Sequence, residues 1–127
     1  MSDIVLDASA LMAVLREEPG AAAVEAVLDD AAISTVNLSE VQAKLVECGA
    51  VAEIAWSWLG GLDLDVIDFD ATQARVAGNL RALTRTHGLS FGDRACLALA
   101  QILRAPAMTA DRAWSGLEVG IEIRTVR

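Results

Sequence analysis

The apolar residues of this chain fall into two kinds of segment that alternate along it. Short apolar runs have the length of strands, and longer stretches with apolar residues three or four positions apart have the period of helices. This alternation predicts a parallel sheet covered by helices. The predicted strands are residues 4–6, 32–35, 64–67, 107–109 and 121–124. The predicted helices are residues 9–18, 21–28, 37–48, 51–59, 71–86 and 90–104, with Ser9, Asn37 or Ser39, Asp70 and Ser90 as candidate N-caps.

Length and composition favour a single domain over residues 1–127, because no linker or repeat divides the chain. The apolar fraction of 54% is high while aromatic residues are few, which is typical of a sheet buried on both faces or of a partner surface. No apolar run has the roughly 20 residues of a membrane helix, and the N-terminus has acids where a signal peptide has basic residues. Cys48 and Cys96 are expected to be reduced core residues of a cytoplasmic protein.

The formal net charge of −8 argues against a simple nucleic-acid binder, but the charge is unevenly distributed. Residues 1–70 hold 14 acids against two cations, whereas residues 71–127 hold 4 acids against 8 arginines. The stretch 71–92 contains three arginines and the only histidine, and no acid. Such a stretch is either a face that meets a polyanion or a solvated helix face that happens to be basic.

Four carboxylates, Asp7, Glu40, Asp93 and Asp111, each stand where an apolar run gives way to a predicted helix. Side chains at such junctions meet at one edge of a parallel sheet, and clustered acids repel one another unless a divalent cation lies among them. Each acid also has a simpler explanation. Asp7 can favour a helix dipole, Asp111 can belong to a turn, and Glu40 and Asp93 have capping-box spacing from Asn37 and Ser90.

The hydroxyls of Ser9 and Thr109 lie two residues from Asp7 and Asp111, respectively. Hydroxyls at this spacing can orient a carboxylate or a metal-bound water. Ser9 can alternatively serve as a helix cap.

The motifs VLDASAL, NLSEV, SFGDRACLALA and MTADRAW, in this order over almost the whole chain, resemble those of a PIN domain, specifically of a VapC-type toxin. The resemblance implies a PIN-like three-layer α/β sandwich with a central, mostly parallel sheet flanked by helices. It implies a Mg²⁺- or Mn²⁺-dependent endoribonuclease whose metal ligands are Asp7, Glu40, Asp93 and Asp111, supported by Ser9 and Thr109. It also implies a homodimer neutralised by a VapB-like antitoxin. Some relatives carry a further acid after the fourth motif, where this chain has Ala113 and Ser115, so one metal or two remains open.

The chemistry agrees with this resemblance, because hard oxygen ligands without His or Cys favour Mg²⁺ or Mn²⁺ over Zn²⁺. A carboxylate-held cation can activate water for hydrolysis of RNA phosphodiester bonds. Four arginines are candidates to guide the RNA: Arg81, Arg85, Arg94 and Arg112. Two alternatives remain, a non-catalytic PIN-like interaction module and a phosphoacceptor receiver domain. A receiver domain needs a lysine near its acids, and this chain has only Lys44.

Overall fold

A computed structural model describes residues 2–127 and contains one five-stranded sheet in which every strand pair is parallel. The sheet order is β3-β2-β1-β4-β5. The strands are β1 (Ile4–Leu6), β2 (Ala31–Ser34), β3 (Asp65–Ile67), β4 (Ala107–Thr109) and β5 (Ile123–Thr125). The helices of residues 2–127 are α1 (Ala8–Leu15), α2 (Ala21–Glu25), α3 (Thr35–Glu47), α4 (Ala52–Gly60), α5 (Ala71–Asn79), α6 (Arg81–Thr84) and α7 (Phe91–Leu103). Short 3₁₀ turns cover Leu28–Asp30, Arg85–His87 and Arg112–Trp114.

The central strand β1 shows how the sheet divides the core into two layers. Val5 faces a cluster built on α5 and α7, which also holds the fully buried Trp114. Ile4 and Leu6 face the opposite layer, which includes α1 and α2. Because successive side chains of a strand point to opposite faces, an unbroken run of buried residues in β1 places helices on both sides. The predicted three-layer α/β sandwich is confirmed, and the sheet is parallel throughout.

The strand order reverses direction at β1. The chain builds outward from β1 through β2 to β3, and then returns to place β4 and β5 on the other side of β1. Because the change of direction lies between β1 and β4, a crevice forms at the carboxyl ends of these two strands. Asp7 follows β1 and Asp111 lies two residues beyond β4, so the fold brings two of the four acids to this crevice.

The predicted strands are confirmed to within two residues at their ends, but several helix details are wrong. Asp7, and not Ser9, caps α1, because its carboxylate accepts from the Ala10 N–H. Ser34 caps α3, so neither Asn37 nor Ser39 does. Asp70 and Ser90 cap α5 and α7 as predicted. The predicted helix over 71–86 breaks into α5, α6 and a 3₁₀ turn. Gly78 and Asn79 are weak helix formers at that break.

A cysteine and two tryptophans are exposed on the surface of the protein. Cys48 is exposed, contrary to the expectation of a core residue, whereas Cys96 is fully buried. Trp56 and Trp58 both expose more than half of their surface on α4. Within residues 2–127, no helix combines the length and the apolar character needed to cross a bilayer.

Candidate active site

Asp7 lies at the carboxyl end of β1 and is only 3% exposed. Its Oδ1 accepts hydrogen bonds from the Ala10 N–H and the Ser9 hydroxyl, both at 2.8 Å. Its Oδ2 accepts from the Thr109 hydroxyl at 2.5 Å. One carboxylate therefore caps α1 and joins the ends of two adjacent strands.

Burial raises the pKa of Asp7 to about 6 from its ordinary value of 3.8. Removal from water is the largest cause, because it penalises the charged form. The hydrogen bonds from Thr109, Ala10 and Ser9 lower the pKa and only partly offset that burial, and the negative charge of Asp93 raises it further. Burial and the nearby negative charge of Asp93 therefore both make the ionised form of Asp7 less favourable in the folded chain.

Ser9 and Thr109 connect Asp7 to the end of β4. Their hydroxyl oxygens are 3.2 Å apart, and each also accepts from the backbone that follows β4. The Ala110 N–H donates to Ser9 at 2.9 Å, and the Asp111 N–H donates to Thr109 at 3.0 Å. Ser9 bonds the neighbouring Asp7, whereas the Thr109 hydroxyl donates to Asp7 and not to the carboxylate of Asp111, its neighbour in sequence. The bonds from the Ala110 and Asp111 N–H groups fix the backbone position of Asp111.

Glu40 projects from the second turn of α3 toward the first turn of α7. The buried amide of Asn37 donates to Glu40 Oε1 and to the Gly92 carbonyl, both at 3.0 Å. A Cβ atom at Gly92 would overlap the Glu40 carboxylate. Asn37 and Gly92 therefore determine the position of the Glu40 carboxylate. Asn37 donates a hydrogen bond to it, and Gly92 has no side chain that would occupy its space. The spacing of Asn37 and Glu40 is visible in the sequence, although it predicts a capping box and not this bond. Nothing in the sequence points to Gly92, because its contact with Asn37 spans 55 positions.

Asp93 forms a complete capping box at the start of α7. Its Oδ2 accepts from the Ser90 N–H at 2.9 Å while its own N–H donates to the Ser90 hydroxyl at 3.2 Å. The capping explanation is correct for Asp93, and it does not move the carboxylate away from the other acids. Burial raises the pKa of the Cys96 thiol, and the charges of Asp7, Asp93 and Glu40 raise it further. The negative charges of three of the four predicted acids therefore act on Cys96, one turn into α7.

Asp111 is exposed and caps the 3₁₀ turn that follows β4 through a 2.9 Å bond from the Ala113 N–H. Its link to the other three acids runs through the Thr109 hydroxyl and not through a direct contact. Across residues 2–127, no three His, Cys, Asp or Glu side chains converge closely enough to hold a metal as they stand. Each acid instead accepts hydrogen bonds from protein donors.

None of the four acids takes part in an ion pair within the described part of the chain. No Lys or Arg side chain of the described residues therefore lies in direct contact with their carboxylates. Carboxylate oxygens are the ligands that hard divalent cations prefer. By donor chemistry and charge, the four acids fit Mg²⁺ or Mn²⁺.

The four predicted RNA-contacting arginines differ in their surroundings. Arg94 is half-buried, donates to the Ala77 carbonyl at 3.1 Å and stacks 5.9 Å from the centre of the Phe91 ring. The bond to Ala77 ties α7 to α5, and the Phe91 contact lies within the first turn of α7. Arg81, Arg85 and Arg112 are exposed and stay predictions for contact with RNA.

A pocket of about 240 Å³ also includes Ser9, the residue whose hydroxyl donates to Asp7. Its lining contains three cations that the sequence patterns do not single out: Arg16, Lys44 and Arg127. The one sequence signal for them is that Arg16 and Lys44 are the only cations of residues 1–70.

Comparisons with known proteins agree on one fold. The sequence model described as PIN domain matches residues 4–119, and no curated protein sequence matches the chain significantly. A chain of the DNA-bound VapBC from Salmonella typhimurium has a TM-score of 0.77 at 19% identity, with 100% of both chains covered. VapBC2 from Rickettsia felis, bound to a promoter DNA fragment, gives 0.76 at 19% identity over 96% and 97%. VapBC-5 from Mycobacterium tuberculosis gives 0.62 at 25% identity over 98% of each chain.

Proposed function

The chain belongs to the PIN domain family, and on that premise we propose that it is a VapC-type toxin. The proposed activity is hydrolysis of RNA phosphodiester bonds by a Mg²⁺- or Mn²⁺-dependent endoribonuclease. The observation that carries the proposal is the group of acids without a cationic partner at the carboxyl edge of the sheet, with Asp7 buried among them. The similar VapBC structures support the toxin assignment.

The chain's own residues would hold the cation and keep its ligands in place. Asp7, Glu40, Asp93 and Asp111 are the proposed ligands. Bound there, the cation would lower the pKa of a water and stabilise charge on phosphate oxygens. The hydroxyls of Ser9 and Thr109 hold Asp7, Asn37 holds Glu40, and Ser90 holds Asp93. Such supporting bonds reduce the motion of ligands and so favour binding.

Three partners accompany this proposal: an RNA substrate, a VapB-like antitoxin and a second copy of the chain. The similar proteins are described as toxin–antitoxin complexes or as VapBC, which supports the antitoxin. Exposed apolar side chains on and beside α4 provide surface for such contacts, namely Val51, Ile54, Trp56 and Trp58. PIN family membership removes the support for a receiver domain.

The test is cleavage of RNA by the purified chain with Mg²⁺, with Mn²⁺ and with EDTA. We expect cleavage only with a cation, leaving 5′-phosphate and 3′-hydroxyl ends because water is the attacking group. Asp93→Asn keeps an oxygen that can accept from the Ser90 N–H but removes the charge, so it should fold and lose at least about 100-fold in activity. Asp29→Asn is the matched control, since Asp29 is exposed just before β2 at the opposite edge of the sheet.

Two results would contradict the proposal. Products with 2′,3′-cyclic phosphate would mean that the ribose hydroxyl attacks and that no metal-activated water is needed. Growth arrest on expression of both wild type and Asp93→Asn, with no cleavage by either, would favour the non-catalytic interaction module.

A further inference from the structure

The two cations of the acidic half of the chain meet in one pocket. Residues 1–70 contain 14 acids and only Arg16 and Lys44 as cations. Arg16 lies at the end of α1 and Lys44 in the last turn of α3, and both line the same pocket of about 240 Å³ together with Arg127. Three separate segments of the chain therefore bring positive charge to one place in an otherwise acidic region.

The third cation, Arg127, is held in the pocket by hydrogen bonds from its side chain to backbone carbonyls of two other segments. Its guanidinium donates to the carbonyls of Ala110 and Pro19, both at 3.3 Å. The preceding Val126 packs so closely on Gly20 that a Cβ there would lie 2.6 Å from Val126 Cγ2. Gly20 also has φ +96°, which an L side chain rarely adopts. This glycine lets the chain after β5 reach the turn between α1 and α2.

The only acid that lines the pocket is Glu18, which lies 4.0 Å from Arg16 and 3.6 Å from Arg127. One carboxylate shared between two arginines leaves the lining side chains with a net positive charge. Lys44 is exposed and takes part in no ion pair within residues 2–127. Its ammonium group is available to a ligand.

The pocket adjoins the acids on two sides. Ser9, which donates to Asp7, is part of its lining. Lys44 follows Glu40 by four residues of α3, so the two side chains lie one turn apart on the same face of that helix. An RNA strand with one backbone phosphate at the acids can therefore place a neighbouring phosphate at these cations.

We propose that Arg16, Lys44 and Arg127 form a subsite for an RNA backbone phosphate next to the one that is cleaved. This inference rests on the proposed function and extends it to substrate positioning. A protein of net charge −8 repels a polyanion unless a local positive region offsets the acids. Arginine guanidinium groups match phosphate oxygens with paired donors, and lysine adds a point charge.

The experiment measures binding of a fluorescein-labelled, 10-nucleotide single-stranded RNA of mixed sequence to the full chain. The Asp93→Asn background prevents cleavage. Arg16→Gln and Lys44→Gln are introduced singly and together, and anisotropy is recorded over a range of NaCl concentrations. Arg104→Gln removes the same charge at the opposite edge of the sheet, where α7 ends before β4 begins, and is the control.

We expect the double variant to bind about tenfold more weakly, since each exposed charge pair contributes modestly to binding. The slope of log affinity against log salt should fall by about 0.7 for each RNA phosphate that the variant no longer neutralises. Arg104→Gln should change neither quantity, and thermal melts should be equal for all variants.

Three outcomes would overturn the subsite. Unchanged affinity and slope in the double variant, while wild type cleaves RNA, would reject the subsite and leave the proposed function intact. Absence of both cleavage by wild type and RNA binding by the background would reject the two together. Normal RNA binding by the double variant, together with loss of the binding that the background shows to a fluorescein-labelled decaglutamate peptide, would assign the pocket to acidic peptides and not to RNA.

Discussion

Asp7 combines burial, three hydrogen-bond donors and a neighbouring acid. Its pKa is about 6 in the folded chain against 3.8 ordinarily. Its contribution to stability is therefore fully present below about pH 4 and is lost as the pH rises through 6. In the absence of metal, the charged carboxylate destabilises the fold at neutral pH.

The first prediction concerns Asp7→Asn in EDTA. At pH 7.5 the variant should be more stable than wild type by about 2 kcal/mol, because the buried charge is gone while the amide can still meet Thr109 and Ser9. Near pH 4 the two should differ little in this respect. Urea denaturation at both pH values measures the difference, and a gap that does not change with pH would contradict the assigned cause.

A second residue-scale prediction concerns Gly92, where a Cβ would overlap the Glu40 carboxylate. Gly92→Ala should force Glu40 from its place and break its bond with Asn37. We expect ribonuclease activity to fall about 10- to 100-fold, while stability changes by less than about 1 kcal/mol because alanine favours helix. Kinetics and thermal melts give the two quantities.

Gly78→Ala is the matched control, because Gly78 also lies in a helix and nothing is within 4 Å of its Cβ position. It should raise stability slightly and leave activity unchanged. Full activity in Gly92→Ala would mean that the position of Glu40 does not limit the reaction.

Individual residues were predictable when their signal is local. Asp7 and Asp111 follow apolar runs, and Ser90 and Asp93 have the spacing of a capping box that the structure contains. Asn37 was only a candidate cap, because its bond to Gly92 crosses 55 positions of sequence. A pattern along the chain does not report such a contact.

At the scale of elements, strands were predicted better than helix ends. The bounds predicted for Ile4–Leu6 and Ala107–Thr109 are those of the structure, since every residue of both strands is buried and, apart from Thr109 at the end of β4, apolar. The sequence does not determine a helix start where several polar residues can serve as the N-cap. Asp7 outcompetes Ser9, and Ser34 outcompetes Asn37, because each stands at the residue where the strand stops.

The helix α7 shows why capping and a functional role could not be separated by sequence. The same first turn that bonds Asp93 to Ser90 also brings its charge close enough to act on Asp7 and Cys96. A helix that begins at the carboxyl edge of a parallel sheet places its first-turn side chains beside the strand ends. The position that lets Asp93 cap α7 is therefore the same position that brings it close to Asp7.

At the scale of the whole molecule, charge patterning along the chain identified only part of the positive surface. The stretch 71–92 is visible in the sequence because it holds three arginines and no acid. The pocket of Arg16, Lys44 and Arg127 draws on both ends and the middle of the chain. These cations come together only in the folded chain, so the net charge of residues 1–70 gives no sign of a positive pocket.

The net charge of −8 and the unpaired acids at one edge lead to a prediction for metal binding. At pH 7.5, Mn²⁺ at about ten times its dissociation constant should stabilise the fold by about 1.4 kcal/mol, which raises the melting temperature by about 5 °C. NaCl of equal ionic strength separates this effect from general screening of repulsion. Asp7→Asn should lose most of the shift, whereas Asp29→Asn, at the opposite edge of the sheet, should keep it. Equal shifts in both variants would mean that Mn²⁺ acts on the overall charge and not at the four acids.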